Sequence, residues 1–157
     1  MKLRLAAVED AGAIAEIYNE GIRDRVATFE TRPRSAGEIE SWFDGVHPIV
    51  VAEEDRVIAF AGTSTYRARE CYAGIAECSV YVRAGCRGRG AGKAVLERLQ
   101  EEARRSGFHK LVSRVFPENA ASLAMLDSLG WRRAGTYLRH GQLDGVWRDV
   151  VIVEKLL

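Results

Sequence analysis

The stretch from Glu77 to Lys93, E-C-S-V-Y-V-R-A-G-C-R-G-R-G-A-G-K, constrains this chain most. A strand-like run carrying one acid leads into a glycine- and arginine-rich turn. The amphipathic sequence Ala94-Val95-Leu96-Glu97-Arg98-Leu99 follows directly. A strand, a glycine turn and a helix start together form a cradle for a phosphate-bearing ligand. Backbone N–H groups at the helix start face the anion, and glycines let it come close. The acid upstream is placed to act as a base.

The elements on either side predict the sheet. Lys2 to Ala7 alternates as a short strand. Glu9-Asp10 opens a helix with Ile14, Ile17, Tyr18 and Ile22 at helical spacing. Arg23 to Pro33 reads as a loop. Ser35 with Glu38 predicts a capping box and a helix reaching Phe43. Strands are expected at Ile49–Ala52, Val57–Tyr66 and Ile75–Val82. The helix after the glycine turn runs to about Ser106, with Gly107 as its stop. Lys110 to Phe116 is a strand, Asn119 caps a helix that Gly130 ends, and Trp131–Arg139 and Val146–Val153 are two last strands. The resulting order, β-α-α-β-β-β-α-β-α-β-β, predicts an α/β mixed sheet with helices on both faces. It lacks the strict alternation of a dinucleotide fold.

Composition narrows the function. The 157 residues suit a single domain, 1–157. With 23 basic and 22 acidic side chains, net charge is +1, which argues against a nucleic-acid module. Cys71, Cys78 and Cys86 form no C-x-x-C pair, and His47, His109 and His140 have no ligand spacing. No metal site and no disulfide framework are expected. No run is apolar enough for a signal peptide or a membrane span, so a soluble cytoplasmic protein is expected.

Two familiar phosphate motifs fail. A Walker loop needs Ser or Thr after G-K, and Ala94 follows Gly92-Lys93. A dinucleotide fingerprint needs G-x-G-x-x-G, and Gly88, Gly90 and Gly92 give G-x-G-x-G. The segment Arg87-Gly88-Arg89-Gly90-Ala91-Gly92 instead resembles the acyl-CoA loop, [QR]-x-x-G-x-[GA], of the GCN5-related N-acetyltransferase (GNAT) superfamily. Arg67-Ala68-Arg69, Tyr72 and Ala76–Val82 are similar to its phosphinothricin and methionine sulfoximine acetyltransferase branch. So are Thr28-Phe29 with Pro33, and Gly145-Val146-Trp147-Arg148-Asp149-Val150. The matches run from the first strand to the last.

The resemblance implies a mostly antiparallel sheet with one splayed parallel strand pair. It implies acetyl-CoA as co-substrate, and as acceptor the α-amine of a small amino acid or analogue of the phosphinothricin, methionine sulfoximine or arsinothricin type. It implies that Glu77 assists deprotonation. A free carboxylate, with a pKa of about 4.3, is a weak base at neutral pH, so that role calls for burial or a bridging water. Val80, Tyr81 and Val82 would offer backbone groups to the pantetheine arm. Gly88, Gly90, Ala91, Gly92 and Lys93 would hold the pyrophosphate through N–H groups, with Arg87, Arg89 or Lys93 adding charge. Asn119 and Ser122 would lie near the pantetheine, Asn119 also capping its helix.

Arg67 and Arg69, two apart, would share one side of an extended segment and suit a carboxylate, phosphinate or sulfone oxygen. Phe29 and Glu30 are further candidate substrate contacts, with core packing the other role open to Phe29. Met125 and Leu126 stand where many superfamily members carry a tyrosine acid, so no general acid is assigned. Cys78 next to Glu77 raises a ping-pong route through an acetyl-cysteine, but neighbouring strand residues face opposite ways. The family commonly forms homodimers, and Val150–Val153 is either an edge or interface strand or plain core. A protein N-terminus or polyamine as acceptor, or a CoA-binding sensor without turnover, are the alternatives.

Overall fold

The computed structural model describes residues 1–157. Strands β1 (Lys2–Leu5), β2 (Ile49–Glu53), β3 (Val57–Thr65), β4 (Ile75–Val82), β5 (Lys110–Val115), β6 (Arg132–Leu143) and β7 (Val146–Leu156) form one sheet in the order β1-β2-β3-β4-β5-β7-β6. Helices are α1 (Ala11–Asp24), α2 (Ala36–Glu40), α3 (Ala91–Arg105) and α4 (Ala120–Ser128). The mixed sheet is as expected: β4 and β5 run parallel, and every other neighbouring pair is antiparallel.

Strand alternation sorts the side chains into two layers. On one face Val50, Ala52, Ala59, Ala61, Ala76, Cys78 and Leu111 pack against Val95, Leu96, Leu99 and Ala103 of α3, with Leu123 and Leu126 of α4 beside them. On the other, Ile49, Val51, Phe60 and Tyr81 meet Ile14 and Ile17 of α1 and Ile39 of α2. Leu96 and Leu99 are fully buried, and truncating either to Ala costs about 2–5 kcal/mol. Helix α1 reaches β4 because Gly21 has no side chain. A Cβ there would lie 2.6 Å from Tyr81 Cδ1.

Local chemistry moves several expected boundaries. Strand β1 stops at Leu5 because Asp10 folds back. Its carboxylate accepts from the Ala7 N–H at 2.8 Å and from the Arg4 guanidinium at 2.7 and 2.9 Å. The Arg4 hydrogen bond holds the Asp10 carboxyl below its ordinary pKa. The capping box of Ser35 and Glu38 forms, but α2 ends at Glu40 rather than Phe43. Strands β6 and β7 extend beyond the expected ends. Between Tyr137 and Gly141 the register shifts, and the Arg139 N–H donates to Asp149 Oδ1 at 2.8 Å. Asp144 and Gly145, at φ 52° and 78°, make the tight hairpin turn between them. Val150–Val153 is not an edge. Strand β7 lies between β5 and β6, with Val150, Val151 and Val153 buried. Strand β6 is the edge on that side of the sheet, as β1 is on the other.

Candidate active site

The parallel pair β4–β5 is bonded only over Ile75↔Lys110, Ala76↔Leu111 and Glu77↔Val112. Beyond Glu77 the strands diverge. The Ser113 hydroxyl donates to the Cys78 carbonyl at 2.8 Å as the last tie across the gap. The other edge of β4 remains bonded to β3 as far as Val82, so the backbone of Ser79–Val82 on the β5 side is left without a strand partner.

A narrow cleft of about 50 Å³ lies in this split, lined by Ser79, Val80, Tyr81, Asn119, Ser122 and Met125 among others. Val82 sits at its end against Gly92, whose added Cβ would be 3.2 Å from Val82 Cγ2 and 3.4 Å from Met125 Sδ. Asn119 is the N-cap of α4. Its Oδ1 accepts from the Ser122 N–H, and its Nδ2 donates to the Val26 carbonyl, each at 3.3 Å.

The loop from Arg87 into α3 follows from its glycines. Gly88 and Gly90 sit at φ 76° and 83°, where an L side chain is strained. No backbone N–H from Arg87 to Lys93 has an acceptor within the chain; α3 bonding begins with the Ala94 N–H on the Gly90 carbonyl at 3.0 Å. These open donors sit at the positive end of a 15-residue helix. Two nearby cations are already engaged. The Arg87 guanidinium donates to Asp24 Oδ2 at 2.6 Å and the Val82 carbonyl at 3.2 Å, and Arg89 faces Glu54 at 3.5 Å. Lys93 is exposed and has no acidic partner.

On the α1–α2 side of the split a cavity of about 760 Å³ opens. It shares Ala27, Cys78, Ser79, Tyr81, Arg114 and Val115 with the narrow cleft. Glu77 lies on this wall, its side chain 26% exposed, with Oε1 3.0 Å from Arg114 Nε. The register explains the pair: Glu77 stands opposite Val112, and Arg114 is two residues further along the same face. Phe29 lines the cavity and meets Phe116 edge-on, ring centroids 4.8 Å apart. Glu30 also lines it and pairs with Arg34 at 2.7 Å. Tyr81 packs between Tyr18 and Phe60, and burial raises its phenol pKa well above the ordinary value.

Arg67 and Arg69 are placed elsewhere than expected. The cavity wall ends at Thr65. Tyr66–Arg69 bends rather than continuing as a strand, and both arginines are exposed. Arg67 lies over the Tyr66 ring at 4.6 Å and Arg69 over the Tyr72 ring at 5.8 Å. Cys78 points to the α3 face, and burial pushes its thiol up to about 12. A thiol so held is a poor nucleophile near neutrality.

Sequence reasoning missed Arg114 and the pair Asp44–His47 on the cavity wall. Arg114 left one signal, a lone central cation within the apolar strand Lys110–Phe116. The Asp44 carboxylate accepts from the His47 N–H at 2.8 Å and contacts His47 Nδ1 at 2.6 Å. Hydrogen bonding, first from the His47 N–H, holds Asp44 down to about 2. Nothing in the local sequence places that pair on the same cavity wall as Glu77. His140 stacks on Tyr137 of the edge strand, ring centroids 4.5 Å apart.

A split parallel pair, a free N–H loop at one end and a carboxylate at the other suit an extended acyl carrier approaching a nucleophile. Residues 14–131 match the acetyltransferase (GNAT) family. The chain belongs to the GNAT family. It is 33% identical to an L-methionine sulfoximine/L-methionine sulfone acetyltransferase of Pseudomonas paraeruginosa, over 97% of this chain and 92% of that protein. A GNAT superfamily phosphinothricin acetyltransferase from Sinorhizobium meliloti, solved in complex with acetyl-CoA, superposes with a TM-score of 0.92 at 31% identity, covering 99% of this chain and 88% of that one. A ribosomal-protein-alanine N-acetyltransferase from Brucella melitensis gives 0.95 at 31% identity, with full coverage of both chains. This GNAT protein is therefore an acetyl-CoA-dependent N-acetyltransferase. None of its helices is long and apolar enough to cross a membrane.

Proposed function

We propose that this chain acetylates the α-amine of a small free amino acid or analogue, of the phosphinothricin, methionine sulfoximine, methionine sulfone or arsinothricin type, by direct attack in a ternary complex. The reading is carried by the position of Glu77 where the backbone-lined split meets the aromatic-walled cavity. The relative that acetylates methionine sulfoximine and methionine sulfone supports the acceptor class.

In this reading the N–H groups of Gly88 to Lys93 hold the pyrophosphate, with Lys93 as the uncommitted cation. Val80, Tyr81 and Val82 bond the pantetheine arm as an added strand, beside Asn119 and Ser122. Glu77 takes one proton from the ammonium nitrogen, directly or through a water. The freed lone pair forms the C–N bond while backbone N–H groups polarise the thioester carbonyl. The C–S bond then breaks, and the departing thiolate takes up the amine's second proton, with Ser122 the nearest hydroxyl on α4 to assist. Phe29 and Glu30 bound the acceptor. Arg67 and Arg69, just beyond Thr65, draw anionic acceptors toward the mouth.

The chain works as a homodimer in this reading. Tyr137, Leu138, Val146 and Trp147 leave an exposed apolar surface on the β6–β7 hairpin, and β6 presents an open edge suited to a second copy.

Steady-state rates of CoA release, with acetyl-CoA and L-methionine sulfone varied together and the N-acetyl product identified by mass spectrometry, test the mechanism. Intersecting lines and no acetylated protein are expected. Parallel lines with an acetyl group on Cys78 would sink direct attack. The Brucella neighbour favours one second reading, a protein N-terminus as acceptor. Faster transfer to an alanine-ended peptide than to any free amino acid would select it.

A further inference from the structure

We infer that the Glu77–Arg114 ion pair is the receptor for the amino-acid zwitterion: Arg114 takes the α-carboxylate while Glu77 takes the ammonium. The inference rests on the N-acetyltransferase reading above and names the residue that selects its acceptor.

Three observations carry it. Arg114 is the only lysine or arginine lining the 760 Å³ cavity. The cavity's carboxylates are Glu30, Asp44 and Glu77. Glu30 is closed by Arg34 and Asp44 by His47, so only Glu77 and Arg114 offer opposite charges to an incoming molecule. Arg114 also approaches Glu77 most closely through Nε, at 3.0 Å. Its terminal amino groups make no hydrogen bond within the chain, and the side chain is 41% exposed. A guanidinium presents its donors as a planar fork that fits a carboxylate. Finally, Arg114 borders both the cavity and the split where the thioester must lie.

The chemistry of the acceptor matches this arrangement. An α-amino acid carries its ammonium and carboxylate on one carbon, as adjacent opposite charges. Inserted between Glu77 and Arg114, it replaces one ion pair with two. Arg114 turns its fork to the carboxylate and releases the Glu77 oxygen, which is then free to accept the ammonium proton. The reacting nitrogen is thereby fixed beside its base. A peptide N-terminus has an amide where the carboxylate would be and leaves the guanidinium unpaired. A polyamine brings a second cation against Arg114. The pair therefore favours a free amino acid over either. Arg67 and Arg69, outside the cavity wall and set over Tyr66 and Tyr72, are left to act on charge at the mouth.

The test compares kcat/KM for L-methionine sulfone with that for its α-carboxamide, in wild type, Arg114→Gln and Arg114→Lys. Wild type is expected to prefer the free acid by about 10- to 100-fold, the range for a charged hydrogen bond. Arg114→Gln should bring the acid-to-amide ratio toward one, and Arg114→Lys should restore part of it. Equal use of acid and amide by the wild type overturns the inference. So does a ratio that survives Arg114→Gln, which would return carboxylate binding to Arg67 and Arg69. If Arg114→Gln fails to fold, the wild-type ratio and its partial retention in Arg114→Lys decide the matter. Transfer to neither compound overturns the amino-acid acceptor reading and this inference together, whereas transfer to both alike overturns only the inference.

Discussion

The two ends of the candidate active site are built from different material. The Arg87–Lys93 loop is a backbone site: consecutive N–H groups without acceptors, shaped by glycines at positive φ, within one short segment. The acceptor cavity is a side-chain site. Its wall draws Tyr18 from α1, Phe29 and Glu30 from the following loop, Glu77 from β4 and Arg114 from β5. A backbone site tolerates changes of side chain but not of backbone conformation, whereas a side-chain site behaves the opposite way. The loop suits a co-substrate whose phosphates never vary. The cavity suits an acceptor that differs between relatives.

Substitutions on each side can break that contrast. The largest effect is expected from Glu77→Gln. It should lower kcat by about 10²- to 10⁴-fold, the usual contribution of a positioned base, while acetyl-CoA affinity measured by calorimetry stays unchanged. A matching loss of acetyl-CoA affinity would mean that the two ends are not separable. Next comes Gly90→Ala. Forcing an L side chain to φ 83° costs about 1–2 kcal/mol, and the KM for acetyl-CoA should rise about tenfold without a similar change for the amine.

Arg87→Ala and Arg89→Ala sharpen the point further. Both side chains already face Asp24 and Glu54, so each variant should shift the acetyl-CoA KM by less than about fivefold, as for an exposed ion pair. If either equals Gly90→Ala, side-chain charge holds the pyrophosphate and the loop is not a backbone site.

The smallest effect concerns the cavity rim. Asp44 is held down to about 2, first by the His47 N–H. A depressed carboxylate adds stability above its unfolded pKa, about 3.9, and that stability disappears as pH falls through about 2. Asp44 is 44% exposed, so solvent discounts the gain. Asp44→Asn should lower Tm by about 2 °C at pH 7, with the difference fading toward pH 2. A difference that persists at low pH would assign the effect to shape rather than charge.

The same contrast decides what was legible in the chain. The sheet alternation, the Ser35–Glu38 box, the Asn119 cap and the Gly107 and Gly130 stops are local signals, and each names its own partners within a turn. Strand β4 was readable to the residue, Ile75–Val82. Strand β6 was not, because the irregular register between Tyr137 and Gly141 joins two stretches that separately look like a strand and a loop. Arg67 and Arg69 show the limit of spacing. The i, i+2 rule holds only for extended backbone, and the chain bends after Thr65.

By itself the sequence determined the order of elements, the glycine loop with its open donors, and Glu77 as the acid ahead of it. Those features depend on backbone conformation and on neighbours a few residues apart. Only the tertiary structure decided that β7 is interior, that α1 lies on Tyr81 through Gly21, and that Arg114 stands 3.0 Å from Glu77. The physical reason is the parallel pairing of β4 with β5. It aligns two strands separated by a whole helix and then parts them, so the charges that meet at the split are neighbours in space without being neighbours in the chain.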